Sequence, residues 1–384
     1  MNKGIFALAL GTFALGISEF LMMGILIELS QAMHVSVSEA GHFISAYATG
    51  VCIGAPALLL FRKMGLRRML LMLAALIAIG NCMAALSFNF WTMIAARFVS
   101  GLPHGAFFGV GAIVARKLAR PGREVSAVAY MIAGMTVATL IGVPAGTFIS
   151  NTLSWRVAFV IVSVAGLGTL LAIHTFVPRI GALPDHGFKG QFRFLKTLPP
   201  WLIFGGVLCG QTGMYCWYSY IDPQLTRVAG FDMADMSWLM VLAGFGMFAG
   251  NLAAGRMGVS FKPSAVAAWV MGAGIPILVL FYFFGHIQVA AVALMVFGTA
   301  SLFGSGSPLQ SSIVGYSKGG ELLGGACIQI AYNAGNAIAA ALGGAVIAAG
   351  HGYNSVCLVG IPLVALGTIL VSVLYFRVER GRHV

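Results

Sequence analysis

Three ionisable side chains lie inside long apolar stretches of this 384-residue sequence, and their types suit proton transfer. Glu19 lies in one stretch, and Arg97 and His104 share another. A charged carboxylate in hydrocarbon costs roughly 2.5–3.5 kcal/mol or more, so Glu19 is a candidate for binding a proton. Arginine does not readily lose its charge, so Arg97 needs an acid, a substrate anion or water beside it. Histidine changes charge near neutral pH, which makes His104 a second candidate proton site.

Each of these residues also has a structural alternative. Glu19 could pair with Arg97 or hydrogen-bond to a neighbouring helix, and His104 could hydrogen-bond to a carbonyl group. Helices that run in opposite directions could place Glu19 and Arg97 at similar depths. The sequence therefore leaves open whether the two charges form a proton switch or a structural pair.

Six further polar residues in or beside the apolar stretches are candidates for contact with a solute: His42, Gln211, Tyr215, Gln310, Gln329 and Asn333. Gln211 and Tyr215 are separated by one helical turn, as are Gln329 and Asn333, so each pair shares a helix face. Amides hydrogen-bond to hydroxyl groups and aromatic rings stack on C–H faces, so these residues suit a polyhydroxylated ligand. The alternatives are an aromatic belt at the membrane interface and amides that join helices.

Apolar runs long enough to cross a membrane account for most of the chain, which is 59% hydrophobic and only 8% charged. A soluble domain has about 25% charged residues. Runs of about 20 apolar residues predict membrane-spanning helices. Twelve such spans are predicted: 4–29, 39–61, 68–87, 91–115, 124–149, 156–177, 200–222, 236–255, 264–285, 289–314, 321–348 and 353–376.

The 22 basic residues orient these spans, because nearly all of them fall in alternate gaps. The gaps that contain them include both termini, whereas the other gaps contain only Arg156 and Arg227. Basic loops stay on the cytoplasmic side, so the N and C termini are predicted to be cytoplasmic. The net charge of +12 is then mainly a topology signal, and we expect no nucleic-acid partner. Only Arg97 stands inside a span.

Motifs for an enzyme or a cofactor are absent from the sequence. There is no G-x-x-x-x-G-K-[ST] loop for ATP, and no Ser/His/Asp or two-carboxylate arrangement for hydrolysis. The six cysteines lie in spans without metal-ligand spacing. We therefore expect a protein that is not an enzyme and that has no cofactor and no metal.

The spans fall into two groups of six. The predicted organisation is an N-terminal six-helix bundle at 1–177, a cytoplasmic linker at 178–199 and a C-terminal six-helix bundle at 200–384. Glycines recur at helical spacing in corresponding spans of the two groups, and small residues let helices pack closely in a membrane. Two related six-helix halves are typical of secondary transporters.

The stretch Arg97–Val114, which reads RFVSGLPHGAFFGVGAIV, and the glycine-rich fifth span carry a resemblance to a known family. The chain resembles the major facilitator superfamily, and within it the drug/proton-antiporter branch and the AraJ-type sugar efflux permeases. The first stretch is similar to a span-four motif whose arginine is implicated in proton coupling. The second is similar to the antiporter motif associated with export, at Gly134, Gly142, Pro144 and Gly146. The loop 61–68 departs from the family pattern because it lacks an acidic residue.

This resemblance implies an all-α membrane protein with twelve transmembrane helices in two pseudo-symmetric bundles, the major facilitator fold. It also implies a multi-pass protein of the bacterial inner membrane that exports a small solute, such as arabinose, by proton antiport with alternating access. Glu19, Arg97 and His104 would serve proton coupling. The partners would be the solute, protons and the lipid bilayer, and we expect a monomer. The alternatives are a multidrug efflux antiporter, a passive facilitator, and a non-transporting receptor or scaffold.

Overall fold

The computed structural model describes residues 2–35, 37–184, 187–232 and 235–380, and these residues form helices without any β-strand. The all-α class expected from the sequence is confirmed for this part of the chain. Eleven of the described helical segments are long and apolar enough to cross a membrane. The span predicted at 200–222 also forms a helix, Leu198–Tyr218, which is not among these eleven.

The chain packs as two compact units, which are considered separately below. The first unit comprises residues 1–120, 130–194 and 317–330, and the second comprises 121–129, 195–316 and 331–384. The change from 194 to 195 falls within the segment 178–199. Two helices, those that begin at Glu124 and at Glu321, contribute residues to both units.

The helices that begin before residue 195 are numbered in chain order: α1 Lys3–Gly24, α2 Leu26–Ala32, α3 Val37–Ala40, α4 His42–Ala57, α5 Leu66–Ala85, α6 Phe90–Leu118, α7 Glu124–Val137, α8 Val143–Thr152, α9 Trp155–Phe176 and α10 Gly187–Gly190. Within the first unit, α4 packs along α6, and α5 packs against both α6 and α9. Helix α1 lies against α9, α6 and α8.

The remaining helices are α11 Leu198–Tyr218, α12 Ile221–Pro223, α13 Met236–Met257, α14 Pro263–Phe284, α15 Gln288–Gly304, α16 Gly306–Tyr316, α17 Glu321–Ala348 and α18 Val356–Leu374. Within the second unit, α11 packs along α18 and α13 packs along α15. Helix α14 lies between α15 and α18.

Glycines allow the backbones of α4 and α6 to approach each other. A Cβ atom added at Gly50 or Gly54 would overlap the backbone of α6, and one added at Gly101 would overlap the backbone at Tyr47. Small residues at a helix interface give the close packing that drives helix association in a membrane. This contact sets the distance between the α4 and α6 side chains that form the site described below.

Helix α6 carries Arg97 and His104, and its start is fixed by a capping box. The side chain of Asn89 accepts a hydrogen bond from the backbone N–H of Thr92, and the Thr92 hydroxyl accepts one from the backbone N–H of Asn89. These bonds satisfy main-chain groups that a helix end leaves free. Arg97 and His104 are two turns apart, so the regular helix places both on the same side.

Several predicted spans are interrupted in the structure, among them the first, the fifth and the tenth. The first, predicted at 4–29, ends as a helix at Gly24, and α2 begins two residues later. The fifth, predicted at 124–149, contains a π-helical segment from Ala138 to Gly142. The tenth, predicted at 289–314, breaks at Ser305, because Pro308 has no N–H to bond the Gly304 carbonyl and its ring crowds that carbonyl.

Candidate proton and solute site

Arg97 is completely buried in the first unit, and two main-chain oxygens accept hydrogen bonds from its charged group. Its Nη1 atom donates to the carbonyl of Ser18 at 2.8 Å, and its Nε atom donates to the carbonyl of Phe43 at 3.4 Å. Its guanidinium carbon lies 4.5 Å from the centre of the Tyr47 ring, a cation–π distance. Among the described residues Arg97 forms no ion pair with Glu19, so α1 supplies a carbonyl group rather than a carboxylate to this charge.

Tyr47 connects Arg97 to His104. Its ring faces the guanidinium group, and its hydroxyl lies 2.9 Å from Nδ1 of His104. The imidazole also stacks on the Phe108 ring, with centroids 5.1 Å apart. Tyr47 is not among the residues predicted from the sequence. The signal that could have revealed it is its position on the same face of α4 as Gly50 and Gly54, the face that meets α6.

Glu19 is the acidic member of a cluster that it forms with Tyr47, Arg97 and His104, called the proton cluster below. Its Oε2 atom lies 3.9 Å from Nδ1 of His104, and its side chain is 15% exposed whereas that of His104 is 1% exposed. Oε2 itself is buried and has no hydrogen-bond partner among the described residues. The Glu19 side chain is therefore partly accessible, its carboxylate lies close to an imidazole, and no hydrogen-bonded cation among the described residues neutralises it.

Ser18 and Asn81 fix the helix that carries Glu19. The Ser18 hydroxyl donates to Oδ1 of Asn81 at 3.0 Å, while Asn81 donates from Nδ2 to the Ile77 carbonyl at 2.8 Å. The carbonyl group of Ser18 accepts from Arg97. Since Ser18 precedes Glu19 directly, these bonds hold the backbone of α1 next to the carboxylate.

The glycines of the predicted antiporter motif pack against the same helix. A Cβ added at Gly142 would lie 2.6 Å from the Ile17 side chain, and one added at Gly146 would lie 2.7 Å from Leu21. Gly134 lies against the backbone of α1 further along, and Pro144 stands in the first turn of α8. The motif therefore allows α7, the π segment and α8 to approach α1 at positions before and after Glu19 along the helix.

Two of the predicted solute residues lie in the first unit. Gln329 is almost completely buried, and its Cβ lies 3.4 Å from the position that a Cβ on Gly105 would take. Gly105 follows His104 directly, so Gln329 is close to the proton cluster. His42 is exposed at the start of α4, where its Nδ1 lies 2.9 Å from the carbonyl of Glu39.

The other four lie in the second unit. Gln211 donates from Nε2 to the Leu302 carbonyl at 3.1 Å and to the Ser305 hydroxyl at 3.3 Å. It therefore hydrogen-bonds to residues at the break between α15 and α16. Gln310 is completely buried in α16. Tyr215 is half-buried beside Tyr218, and Asn333 is half-buried in α17.

The first-unit cluster is suited to binding and releasing a proton. It combines a carboxylate and an imidazole that can each accept a proton, a phenol that can relay one, and a guanidinium group that stays charged. A fixed positive charge near Glu19 limits the cost of the anionic form, while the absence of a direct ion pair keeps the carboxylate available.

Comparison with known proteins gives consistent family matches. The model of the Major Facilitator Superfamily matches residues 8–324. AraJ of Escherichia coli K12 is 40% identical over 381 residues, which is 99% of this chain and 96% of AraJ. A chloramphenicol resistance protein of Streptomyces lividans is 30% identical over 347 residues, which is 88% of this chain and 87% of that protein.

Two solved structures have the same fold. The fucose:proton symporter FucP of E. coli superposes with a TM-score of 0.78 at 16% identity, covering 96% of this chain and 97% of FucP. The proton:xylose symporter XylE gives a TM-score of 0.76 at 16% identity, covering 97% of this chain and 94% of XylE. Together with the family match, these likenesses confirm the twelve-helix fold expected from the sequence.

Proposed function

This chain belongs to the major facilitator superfamily, and on that premise we propose that it exports a small solute in exchange for protons. It is a multi-pass protein of the bacterial inner membrane and a transporter rather than an enzyme. The proposal concerns the coupling ion, the direction of transport and the solute. It further holds that the protein acts as a monomer by alternating access.

The observation that carries the proposal is the Glu19 carboxylate, which lies 3.9 Å from Nδ1 of His104 and forms no ion pair with Arg97 among the described residues. A charge inside a membrane protein is costly, and a proton on Glu19 removes it. The neutral and the anionic carboxylate then favour different surroundings, which is the difference a coupled transporter needs between its two conformations.

Tyr47 and Arg97 set the local field in this mechanism. Arg97 keeps its positive charge and is held by two carbonyl groups and the Tyr47 ring. The Tyr47 hydroxyl can donate to His104 when Nδ1 is unprotonated, and it accepts when Nδ1 carries a proton. A proton that reaches the cluster thus has two acceptors, Glu19 and His104, beside a cation that does not titrate.

The proposed solute is a sugar such as arabinose. The amides and phenols of the second unit offer hydrogen bonds to hydroxyl groups, and the sequence resembles the AraJ-type permeases. A drug is the second candidate. It is favoured by the 30% identity to a chloramphenicol resistance protein and by the 19 methionines and 27 phenylalanines, whose apolar side chains can adapt to different ligands.

Flux measurements in proteoliposomes test this proposal. Purified protein is reconstituted, and movement of radiolabelled L-arabinose, D-xylose and chloramphenicol is followed with and without an imposed pH gradient. We expect proton movement down its gradient to accelerate movement of the solute in the opposite direction. In Glu19→Gln we expect this acceleration to be lost, while exchange of solute without a gradient continues.

Glu28→Gln is the matched control. Glu28 is an acidic residue in the neighbouring helix α2, and the Ser150 hydroxyl donates to its carboxylate. This variant should couple like the wild type. A solute flux that no proton gradient changes would refute the antiport proposal, and equal coupling in both glutamine variants would remove Glu19 from the mechanism.

A further inference from the structure

The break between α15 and α16 places polar groups inside the second unit. Helix α15 ends at Gly304 and α16 begins at Gly306, with Ser305 between them. Pro308 causes the interruption, since it cannot donate a main-chain hydrogen bond to the Gly304 carbonyl. In membrane proteins, interrupted helices are tolerated where they are buried in protein or line a cavity.

Two hydroxyl groups at this break are not paired within the described part of the chain. The Tyr332 hydroxyl oxygen and the Ser307 Oγ atom are both buried, and neither hydrogen-bonds to a described residue. Buried polar atoms are nearly always hydrogen-bonded, so each such exception needs an explanation. Neither residue has a role in the proton cluster, which lies in the other unit.

The hydroxyl group of Tyr332 lies near Gly306, the first residue of α16. A Cβ built on Gly306 would be 3.8 Å from the Tyr332 hydroxyl oxygen and, apart from its own helix backbone and chain neighbours, would meet no other described atom within 4 Å. Gly306 and Tyr332 each retain part of their accessible surface, whereas Ser307 is completely buried. The glycine, which has no side chain, thus leaves space in front of the phenol.

Gln211 holds the break in position from α11. Its amide nitrogen bonds the Leu302 carbonyl near the end of α15 and the hydroxyl of Ser305 within the interruption. Both protons of the amide are used in these bonds. Gln211 therefore acts as a positioning residue for the break, and the groups left for a ligand are the two hydroxyls.

We propose that Tyr332 and Ser307, with the space over Gly306, form a subsite for a hydroxyl group of an uncharged polyhydroxylated solute. A hydroxyl group both donates and accepts hydrogen bonds, as do the tyrosine and serine hydroxyls, whereas a carboxylate only accepts and an ammonium group only donates. This subsite deepens the proposed transport function and rests on it. It assigns solute recognition to α16 and α17, apart from the proton cluster.

Equilibrium binding to the purified full-length protein in detergent, without any gradient, tests the subsite. The probes are L-arabinose, D-xylose and chloramphenicol, and the dissociation constants are measured by titration calorimetry. We expect Tyr332→Phe and Ser307→Ala each to weaken pentose binding about fivefold, the effect of one lost hydrogen bond. Gly306→Ala should weaken it at least as much, because the methyl group fills the space before the phenol.

Tyr282→Phe is the matched control, since it removes a phenol hydroxyl from α14 in the same unit, and it should bind pentose like the wild type. Thermal unfolding of every variant checks that the fold is intact, and Tyr332→Phe is the most conservative change. Unchanged pentose affinity in Tyr332→Phe and Gly306→Ala overturns the subsite, as does a wild-type protein that binds neither pentose.

The binding and flux assays separate this inference from the coupling proposal. Glu19→Gln should bind pentose with wild-type affinity and lose only the response to a proton gradient. Tyr332→Phe should raise the solute concentration for half-maximal flux while the response to the gradient at saturation is retained. Wild-type pentose binding that Tyr332→Phe weakens, together with flux indifferent to protons, would refute antiport and support the subsite.

Discussion

The hydroxyl group of Tyr47 lies 2.9 Å from Nδ1 of His104. The ring of the same tyrosine lies against the guanidinium group of Arg97. One side chain of α4 thus contacts both the permanent cation and the titratable imidazole of α6. The consequence is that a change in the protonation of His104 alters the hydrogen bonding of the residue that packs on Arg97.

Tyr47→Phe should separate the two contacts. The variant keeps the ring beside Arg97 and removes the hydroxyl, so we expect a loss of about 1 kcal/mol of stability from the missing hydrogen bond. Tyr47→Leu also removes the cation–π contact and should lose a further 1–2 kcal/mol or so. Denaturant titration in detergent measures both values. Proton-driven flux should shift its pH profile in Tyr47→Phe, and an unchanged profile would show that the hydroxyl has no part in coupling.

Arg97→Lys should be strongly destabilising although it conserves the charge. A lysine ammonium cannot reproduce the planar fork that reaches the carbonyls of Ser18 and Phe43. Each lost charge-assisted hydrogen bond costs about 1.5–3 kcal/mol. Arg156→Lys is the control, because Arg156 is exposed and also donates to a backbone carbonyl, that of Ser87. Equal melting temperatures for the two variants would contradict this account of Arg97.

Gly54→Ala should disrupt the contact between α4 and α6. The added Cβ would overlap the Leu102 carbonyl oxygen and would lie 2.8 Å from its Cα atom, and backbone cannot move aside as a side chain can. We expect a loss of several kcal/mol or failure to fold, seen as low yield of monodisperse protein. Gly168→Ala in α9 meets only a Leu10 methyl at 3.9 Å, so it should be neutral or stabilise by up to about 1 kcal/mol.

Glu379 should contribute to stability through its hydrogen bonds. It is buried at the end of the last helical segment, and its two oxygens accept from the hydroxyls of Ser264 in α14 and Tyr316 in α16. Glu379→Ala removes the carboxylate that accepts from both hydroxyls and should cost about 2 kcal/mol or more, whereas Glu379→Gln should cost about 1 kcal/mol. Asp235→Ala, which removes the acceptor of a solvent-exposed hydrogen bond from Trp238, is the control with a smaller expected effect. A similar cost for all three variants would argue against the Glu379 contacts.

Cysteine labelling tests the predicted orientation of the spans. The six native cysteines are free, so single cysteines are introduced after all six have been replaced. Gly190→Cys, in the segment 178–199, should react with a membrane-impermeant maleimide only from the cytoplasmic side. Leu153→Cys, between α8 and α9, is 72% exposed and should react only from the outside. The reverse pattern would invert the topology.

The sequence predicted the ionisable residues of the cluster but not how they meet. Glu19 and Arg97 are recognisable because charge is rare in apolar spans, and they do lie in one unit. Their lack of a direct ion pair depends on the rotation of α1, which brings the carbonyl of Ser18 to Arg97. Hydropathy does not specify that rotation, since the bonds of Asn81 and the glycines of α7 and α8 determine it.

The presence of each helix could be predicted from the sequence, but the positions at which helices are interrupted could not. The spans follow from apolar length, whereas the breaks depend on single residues whose effect is local. Pro308 signals an interruption in the sequence, and the structure places the break at Ser305 because a proline removes the hydrogen bond to the residue four positions earlier. The placement of the Tyr332 hydroxyl near Gly306 depends on how two helices pack, and it has no signal in either helix alone.

The way in which Arg97 is bound has a consequence for biosynthesis. Its partners, the Ser18 carbonyl, the Phe43 carbonyl and the Tyr47 ring, all belong to α1 and α4, which leave the ribosome before α6. An arginine in a membrane helix needs protein partners to offset the cost of its charge. We therefore expect the fourth span to enter the bilayer beside helices that already provide the partners of Arg97. Truncations that delete α1 should then arrest insertion at α6.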